Sequence, residues 1–394
     1  MTEAGPRQDS LVQGEADKYT FDLGPGYLGE ALLPTRSVAD AYAAVMSEFP
    51  LAALSYGPEQ GPKPAREAIA VLRGTDPDAI LMTSGISAAL DAFAALYRPY
   101  GSIVLTGSVS YDLADAVFRD HGYQVTRAVS GYTDPIWALE EALRRHPADI
   151  AFIYLTPTLA NPTGHTMTAE QRNELLALAV RFDVPIIEDD AYADHVDPNN
   201  RQMSLTSLGL ALYTSDGRPL VVGLGSASKV LGAGLRVGWL QAPPIWLRTY
   251  KSRGIFQSGG CANQISSLAL AHLLDSGDFV RQADHLRLTL AERAQAFRDA
   301  VTSASERLIT APTLWRGGLF DWLEVPDSVG LAAAAESSGI RVYPGRRFGE
   351  GENRHLRVSF GVVTAEEATK AGQRLGQLAV RGHSARGNRL PQER

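Results

Sequence analysis

Between residues 79 and 241, short apolar runs alternate with segments whose apolar residues recur every three or four positions. The runs from Ala79 to Thr83, Ser102 to Leu105, Ile150 to Leu155, Val184 to Ile187, Leu220 to Leu224 and Val237 to Gln241 read as strands. They are apolar throughout, the pattern of a sheet covered by helices on both faces. Helical periodicity covers Ser87 to Tyr97, Asp112 to His121 and Thr168 to Phe182. Thr168 and Gln171 have the spacing of a capping box. This alternation predicts an α/β fold, a mostly parallel central sheet with right-handed crossovers.

After about Gly277 the pattern changes. A long amphipathic helix covers Phe279 to roughly Val301. Then come Gly317 to Leu323, a helix from Leu331 to Ser338, Ile340 to Tyr343, His355 to Phe360, and a closing helix from Ala365. This order predicts a smaller α+β domain at the C-terminus. The chain divides into a flexible N-terminal tail (1–20), a segment packing with the small domain (21–50), a large domain (51–277), the small domain (278–380) and a second flexible tail (381–394).

With 394 residues the chain exceeds one ordinary core. A net charge of −7 argues against a general nucleic-acid binder, since no basic excess exists to neutralise phosphates. Cys261 is the only cysteine, which excludes an intrachain disulfide and a multi-cysteine metal site and fits a reducing cytoplasm. Met1 to Asp17 is polar and does not read as a signal peptide. No apolar run has the length of a membrane span.

Five features carry candidate chemistry. Lys229, in Ser226-Ala-Ser-Lys229, follows an apolar strand at the end where open α/β sheets bind ligands. A desolvated lysine there forms a Schiff base readily, and Ser226, Ser228 and Arg236 suit an anion; the plain alternative is a solvated loop lysine. Glu188-Asp-Asp190 ends a buried strand just before Tyr192, where carboxylates are costly unless paired or functional. Asn161-Pro-Thr-Gly164 is a turn whose amide can donate to a ligand oxygen. Thr83-Ser-Gly-Ile-Ser87 opens a helix, and free N–H groups at such a start cradle anions. Arg357, inside a β-type run, is either a carboxylate clamp or an outward-facing strand residue.

In this order and spacing the five features resemble the fold-type I pyridoxal-5′-phosphate (PLP) enzymes of the class I/II aminotransferase superfamily. The resemblance is greatest to the branch holding aromatic, 2-aminoadipate and kynurenine aminotransferases and the catalytic half of MocR regulators. Ser55-Tyr-Gly-Pro-Glu-Gln-Gly61, Ala65-Arg-Glu-Ala-Ile69 and Val342-Tyr-Pro-Gly345 add to it. It covers about Phe21 to Leu378 and implies the aspartate-aminotransferase fold, with residues 51–277 as the PLP-binding domain.

The resemblance implies a role for each matching residue. Lys229 forms the Schiff base and moves the proton. Asp189, three residues before Tyr192, pairs with the ring nitrogen. Tyr192 and Asn161 bond the ring's 3′-oxygen, and Tyr111 stacks on the ring. Gly85, Ile86, Ser87, Ser226, Ser228 and Arg236 hold the phosphate. Tyr56 reaches the phosphate from the neighbouring subunit, which implies a homodimer with shared sites. Arg357 takes the α-carboxylate of an amino-acid substrate, with Gly26 and Asn161 close by. Thr106-Gly-Ser-Val-Ser110, before Tyr111, departs from the family's Glu-x-Pro-type turn. His165 and His195 lie beside two of the motifs and read as surface or packing residues, or as extra acid/base groups. Gln257-Ser-Gly-Gly-Cys261 reads as a tight turn or a close backbone approach.

These residues serve several reactions. The expected one is transamination of an amino acid. Elimination, replacement or cyclisation, with S-adenosylmethionine as one possible substrate, is the enzyme alternative. A PLP-binding regulator is the third reading, against which stand the few residues ahead of Phe21 and the negative charge.

Overall fold

The computed structural model describes residues 18–128, 135–146, 149–260, 263–312 and 315–387. They form two compact units. The larger comprises Tyr27–Thr289 with Arg316–Gly318, and the smaller takes the chain up to Gly26, Leu290–Trp315 and everything described from Leu319.

The strands, in chain order, are β1 (Phe21–Asp22), β2 (Ile80–Thr83), β3 (Ile103–Thr106), β4 (Gln124–Arg127), β5 (Ile150–Leu155), β6 (Ile186–Asp189), β7 (Val221–Ser226), β8 (Gly238–Gln241), β9 (Phe320–Glu324), β10 (Ile340–Arg341), β11 (Tyr343–Pro344) and β12 (His355–Ser359). The large unit is built on a seven-stranded sheet in the order β2-β8-β7-β6-β5-β3-β4. Strands β3 to β7 pair in parallel, and β8 runs antiparallel to both its neighbours.

Successive residues of the inner strands enter separate cores. Phe152, Tyr154 and Ile187 pack with Phe93, Tyr97 and Phe118. Ile153 and Ile186 pack with Leu139, Leu175 and Val221. Each inner strand is therefore apolar on both faces, which is why the runs lack alternation. Strand β4 escaped the sequence reading because it lies at the sheet edge and none of its residues is fully buried. The capping box is present: the Gln171 N–H donates to Thr168 Oγ1 (3.3 Å) and the Thr168 N–H to Gln171 Oε1 (3.0 Å).

The small unit holds an antiparallel sheet β11-β12-β9 and the parallel pair β1-β10. The run read as one strand from Ile340 to Tyr343 serves both sheets: Ile340 pairs with Phe21 and Tyr343 with Arg357. The units divide differently from the expected domains. Residues from Tyr27 onward join the large unit, where the helix Thr35–Glu48 packs on the helix Gln264–Asp275 and Gln282 Nε2 donates to the Leu32 carbonyl (2.8 Å). The second division falls inside the continuous helix Asp278–Ala304, past the expected start at 278. The closing helix runs Ala365–Gly387, into the stretch read as a tail from 381, although Gly382, His383 and Ser384 are weak helix formers. Residues 1–17 and 388–394 lie outside the described residues. No described helix is long and apolar enough to cross a membrane.

Candidate active site

The parallel strands β6 and β7 lie side by side with Asp189 opposite Leu224. Chain polarity brings their C-terminal ends to the same edge, where α/β sheets bind ligands. Asp189 ends β6, and Lys229 lies three residues beyond the end of β7. Lys229 is half-buried, with Nζ 5.5 Å from the ring centre of the buried Tyr192.

The acidic run separates by strand alternation. Glu188 points to one face, where Arg172 (3.2 Å), the N–H groups of Leu205 (2.9 Å) and Thr206 (2.8 Å), and the Thr206 hydroxyl (2.7 Å) satisfy it. Burial, then the adjacent Asp190, push its carboxyl pKa up. Glu188 thus fastens the helix Leu205–Gly209. Asp189 points to the other face. The buried Tyr154 hydroxyl donates to its Oδ2 at 2.6 Å, and the Ala191 N–H to its Oδ1 at 3.2 Å. Burial raises the Asp189 pKa, against the pull of Tyr154, Ala191 and the Lys229 charge.

A second group surrounds the start of the helix Ile86–Tyr97. Gly85 precedes it at φ 82°, and no side chain caps it. Arg236 lies against Gly85, with Nη2 donating to the Ser84 carbonyl (3.0 Å) and Nη1 to that of Ala233 (3.2 Å). A β-carbon on Gly85 would stand 2.7 Å from Arg236 Nη2, so glycine gives the guanidinium its place. The Ser226 hydroxyl accepts from the Ser228 N–H (3.0 Å), and both serines are buried. Asn263 Nδ2 donates to the carbonyls of Leu235 (2.7 Å) and Arg236 (3.1 Å) and secures this turn.

Asn161 is buried in the turn after β5, preceding a cis Pro162. Tyr111 is half-buried at the start of the helix Asp112–Asp120, near enough to Tyr154 to add to the burial and Asp189 that raise the Tyr154 pKa. The ends of β3, β5, β6 and β7 thus bring Tyr111, Asn161, Asp189, Tyr192 and Lys229 to one edge of one sheet.

His195 is buried, and its Nε2 lies 2.9 Å from the Lys229 carbonyl. A carbonyl only accepts, so Nε2 carries the proton; Nδ1 is buried with no hydrogen-bond partner. His165 is exposed. Tyr56 is 88% exposed, on the loop after the helix Pro50–Leu54. The glycine run accounts for that loop: a β-carbon on Gly260 (φ 65°) would lie 1.9 Å from the Gly57 carbonyl oxygen. The expected close approach is therefore to the residue after Tyr56. Cys261, which ends the run, lies outside the described residues.

Arg357 and Gly26 belong to the small unit. Arg357, on β12, is buried; Nη2 donates to the Gly24 carbonyl (2.6 Å), and the guanidinium lies over Phe320 (4.2 Å), Phe348 (4.8 Å) and Tyr343 (5.2 Å). Gly26 follows two residues after Gly24 and is half-buried.

Sequence reasoning missed Tyr154, Asn263 and the bracing contact of His195. Tyr154 is an ordinary aromatic in an apolar strand, and Asn263 and His195 are isolated polar residues. One signal was available for Tyr154: a phenol on a buried strand needs a polar partner.

The family model for aminotransferase class I and II matches residues 27–375. The 2-aminoadipate transaminase of Thermus thermophilus is 32% identical over 360 residues, covering 89% of this chain and 87% of that protein. Aromatic-amino-acid aminotransferase 1 of Thermococcus litoralis is 26% identical over 378 residues, covering 91% and 87%. The crystal structure of the α-aminoadipate aminotransferase LysN from Thermus thermophilus, complexed with N-(5′-phosphopyridoxyl)-L-leucine, superposes with a TM-score of 0.81 at 30% identity and covers 93% of each chain.

Proposed function

This chain belongs to the class I and II aminotransferases, and from that membership we propose a division of labour among its residues in amino-group transfer. It is a PLP-dependent aminotransferase acting on amino acids. When bound, PLP supplies an aldehyde for the amino group and a ring that accepts the electrons released at the substrate Cα.

The residues at the strand ends fit that cofactor. Gly85, Ile86 and Ser87 offer main-chain N–H groups at a helix start without a side-chain cap, and Arg236, Ser226 and Ser228 complete an anion cup. Asp189 is the buried carboxylate for a protonated ring nitrogen, and Asn161 and Tyr192 donate to the ring's phenolic oxygen. Tyr111 covers a ring face. Lys229 holds the cofactor covalently, then removes and returns the substrate proton. Arg357 takes the substrate α-carboxylate, and Gly26 and Asn161 are the further residues read as substrate contacts. Tyr56 serves the neighbouring subunit of a homodimer.

The observation that carries this reading is the placement of the Lys229 amine 5.5 Å from the Tyr192 ring, at the same strand edge as Asp189. The test is a half-reaction. Mixed with an amino acid and no keto acceptor, the enzyme should release one keto acid per site and stop. Continuous turnover without an acceptor would instead establish elimination or cyclisation.

A further inference from the structure

Tyr154 has no part in the roles above, yet its hydroxyl makes one of the short contacts of the site. It lies on β5, fully buried, opposite Ile187 of β6. Its ring packs edge-on against Phe118, with centroids 5.3 Å apart, and the hydroxyl reaches Asp189 Oδ2 at 2.6 Å. The other carboxylate oxygen takes the Ala191 N–H at 3.2 Å. Each oxygen therefore has one fixed donor, and the carboxylate plane is set from the strand side.

We propose that Tyr154 is the positioning residue of this site, a phenol that holds Asp189 as an anion so that the ring nitrogen of the bound cofactor keeps its proton. The inference rests on the reading of Asp189 as the partner of that nitrogen. A hydrogen-bond donor stabilises the charged carboxylate over the neutral acid. In the pair formed by Asp189 and a ring nitrogen, the proton is either on nitrogen, facing a carboxylate, or on Oδ, facing a neutral pyridine. Burial favours the second arrangement because it carries no separated charge. The Tyr154 hydroxyl, donating to Oδ2 at 2.6 Å, favours the first. Without it the proton moves from nitrogen toward Asp189, and the ring becomes a weaker electron acceptor.

The test is the nitrogen-15 spectrum of ring-labelled PLP in the holoenzyme. In Tyr154→Phe the ring signal should move from the pyridinium range toward that of neutral pyridine. kcat should fall about tenfold, with KM changed less than about twofold. Asp189→Asn separates the two levels of the argument. If that variant leaves the signal unmoved, the reading of Asp189 fails. If Asp189→Asn moves it and Tyr154→Phe does not, the role of Tyr154 alone is overturned. Should Tyr154→Phe fail to fold, 3-fluorotyrosine at position 154 keeps the shape and strengthens the donor. The pH at which the ring signal leaves the pyridinium range should then rise, and an unchanged pH overturns the proposal.

Discussion

The imidazole Nε2 of His195 lies 2.9 Å from the main-chain carbonyl of Lys229. The contact ties the turn that carries the amine to the turn that carries Tyr192. Burial holds the His195 pKa below its ordinary value, against the pull of the Lys229 carbonyl and Asp194. A neutral ring donating through Nε2 is a brace and not a proton shuttle. His195→Ala should lower kcat about tenfold, whereas His195→Gln, which keeps an N–H donor, should retain most of it.

The same buried histidine predicts acid sensitivity. The unfolded chain takes up the His195 proton near pH ~6.5, the folded chain only at lower pH. Below that value the unfolded state binds more protons, so this residue makes stability fall as pH falls. Melting temperatures measured from neutral pH down to about pH 5 should decline less steeply in His195→Gln. Parallel slopes would remove the histidine from the explanation.

Arg236 and Gly85 make a sharper test of the anion cup. Gly85→Ala brings both a backbone conformation (φ 82°, ψ 171°) that essentially only glycine adopts, costing roughly 1–3 kcal/mol, and a β-carbon 2.7 Å from Arg236 Nη2. Gly74, at φ 64°, has nothing within 4 Å of an added β-carbon and provides the control. Gly85→Ala should lose more stability in denaturant melts than Gly74→Ala, since Gly74 lies in the left-handed region (φ 64°, ψ 44°), where alanine costs only about 1 kcal/mol. Only Gly85→Ala should weaken PLP binding, by about tenfold or more. Equal PLP affinities in the two variants would show that the phosphate rests elsewhere.

Much of this site was legible because its parts obey local rules. Glycine and small residues mark the helix start, and apolar runs mark buried strands whose ends meet at one edge of the sheet. Asp189 was separated from its acidic neighbours only by resemblance; the structure supplies the reason, since β6 turns Glu188 to Arg172 and Asp189 to Tyr154. Partners contributed by other elements were not legible. Nothing local couples Asn263 to Arg236, or Gly260 to Gly57, because sheet topology alone brings such residues together. The brief pairing of β1 with β10 was hidden for the same reason. In Ile340 to Tyr343 the periodicity is that of one strand, while the chain changes sheets at Val342.

Arg357, in its setting of three aromatic rings, should distinguish a fork from a simple charge. Lysine keeps the charge but loses the planar pair of donors and the stacking surface. Arg357→Lys should raise KM for amino acids about tenfold or more and change kcat less. An unchanged KM would assign the α-carboxylate to another residue.

Tyr56 is 88% exposed and lies close in sequence to Phe49, Leu51 and Leu54, which are exposed as well. A residue that serves a neighbouring subunit predicts a specific result in mixed dimers. Lys229→Ala and Tyr56→Phe chains are each defective alone. In a hybrid, the Lys229-bearing chain receives an intact Tyr56 from its neighbour, so one site is whole. The other site lacks both groups. Hybrids should therefore recover about half the wild-type activity per dimer, with wild-type affinity for PLP at the active site. If Tyr56 acts within its own chain, the only lysine-bearing site also carries phenylalanine at position 56. Hybrids would then be no better than Tyr56→Phe itself. Gly260→Ala, whose β-carbon meets the Gly57 carbonyl, should behave as a milder Tyr56→Phe, since it displaces the loop and leaves the phenol intact.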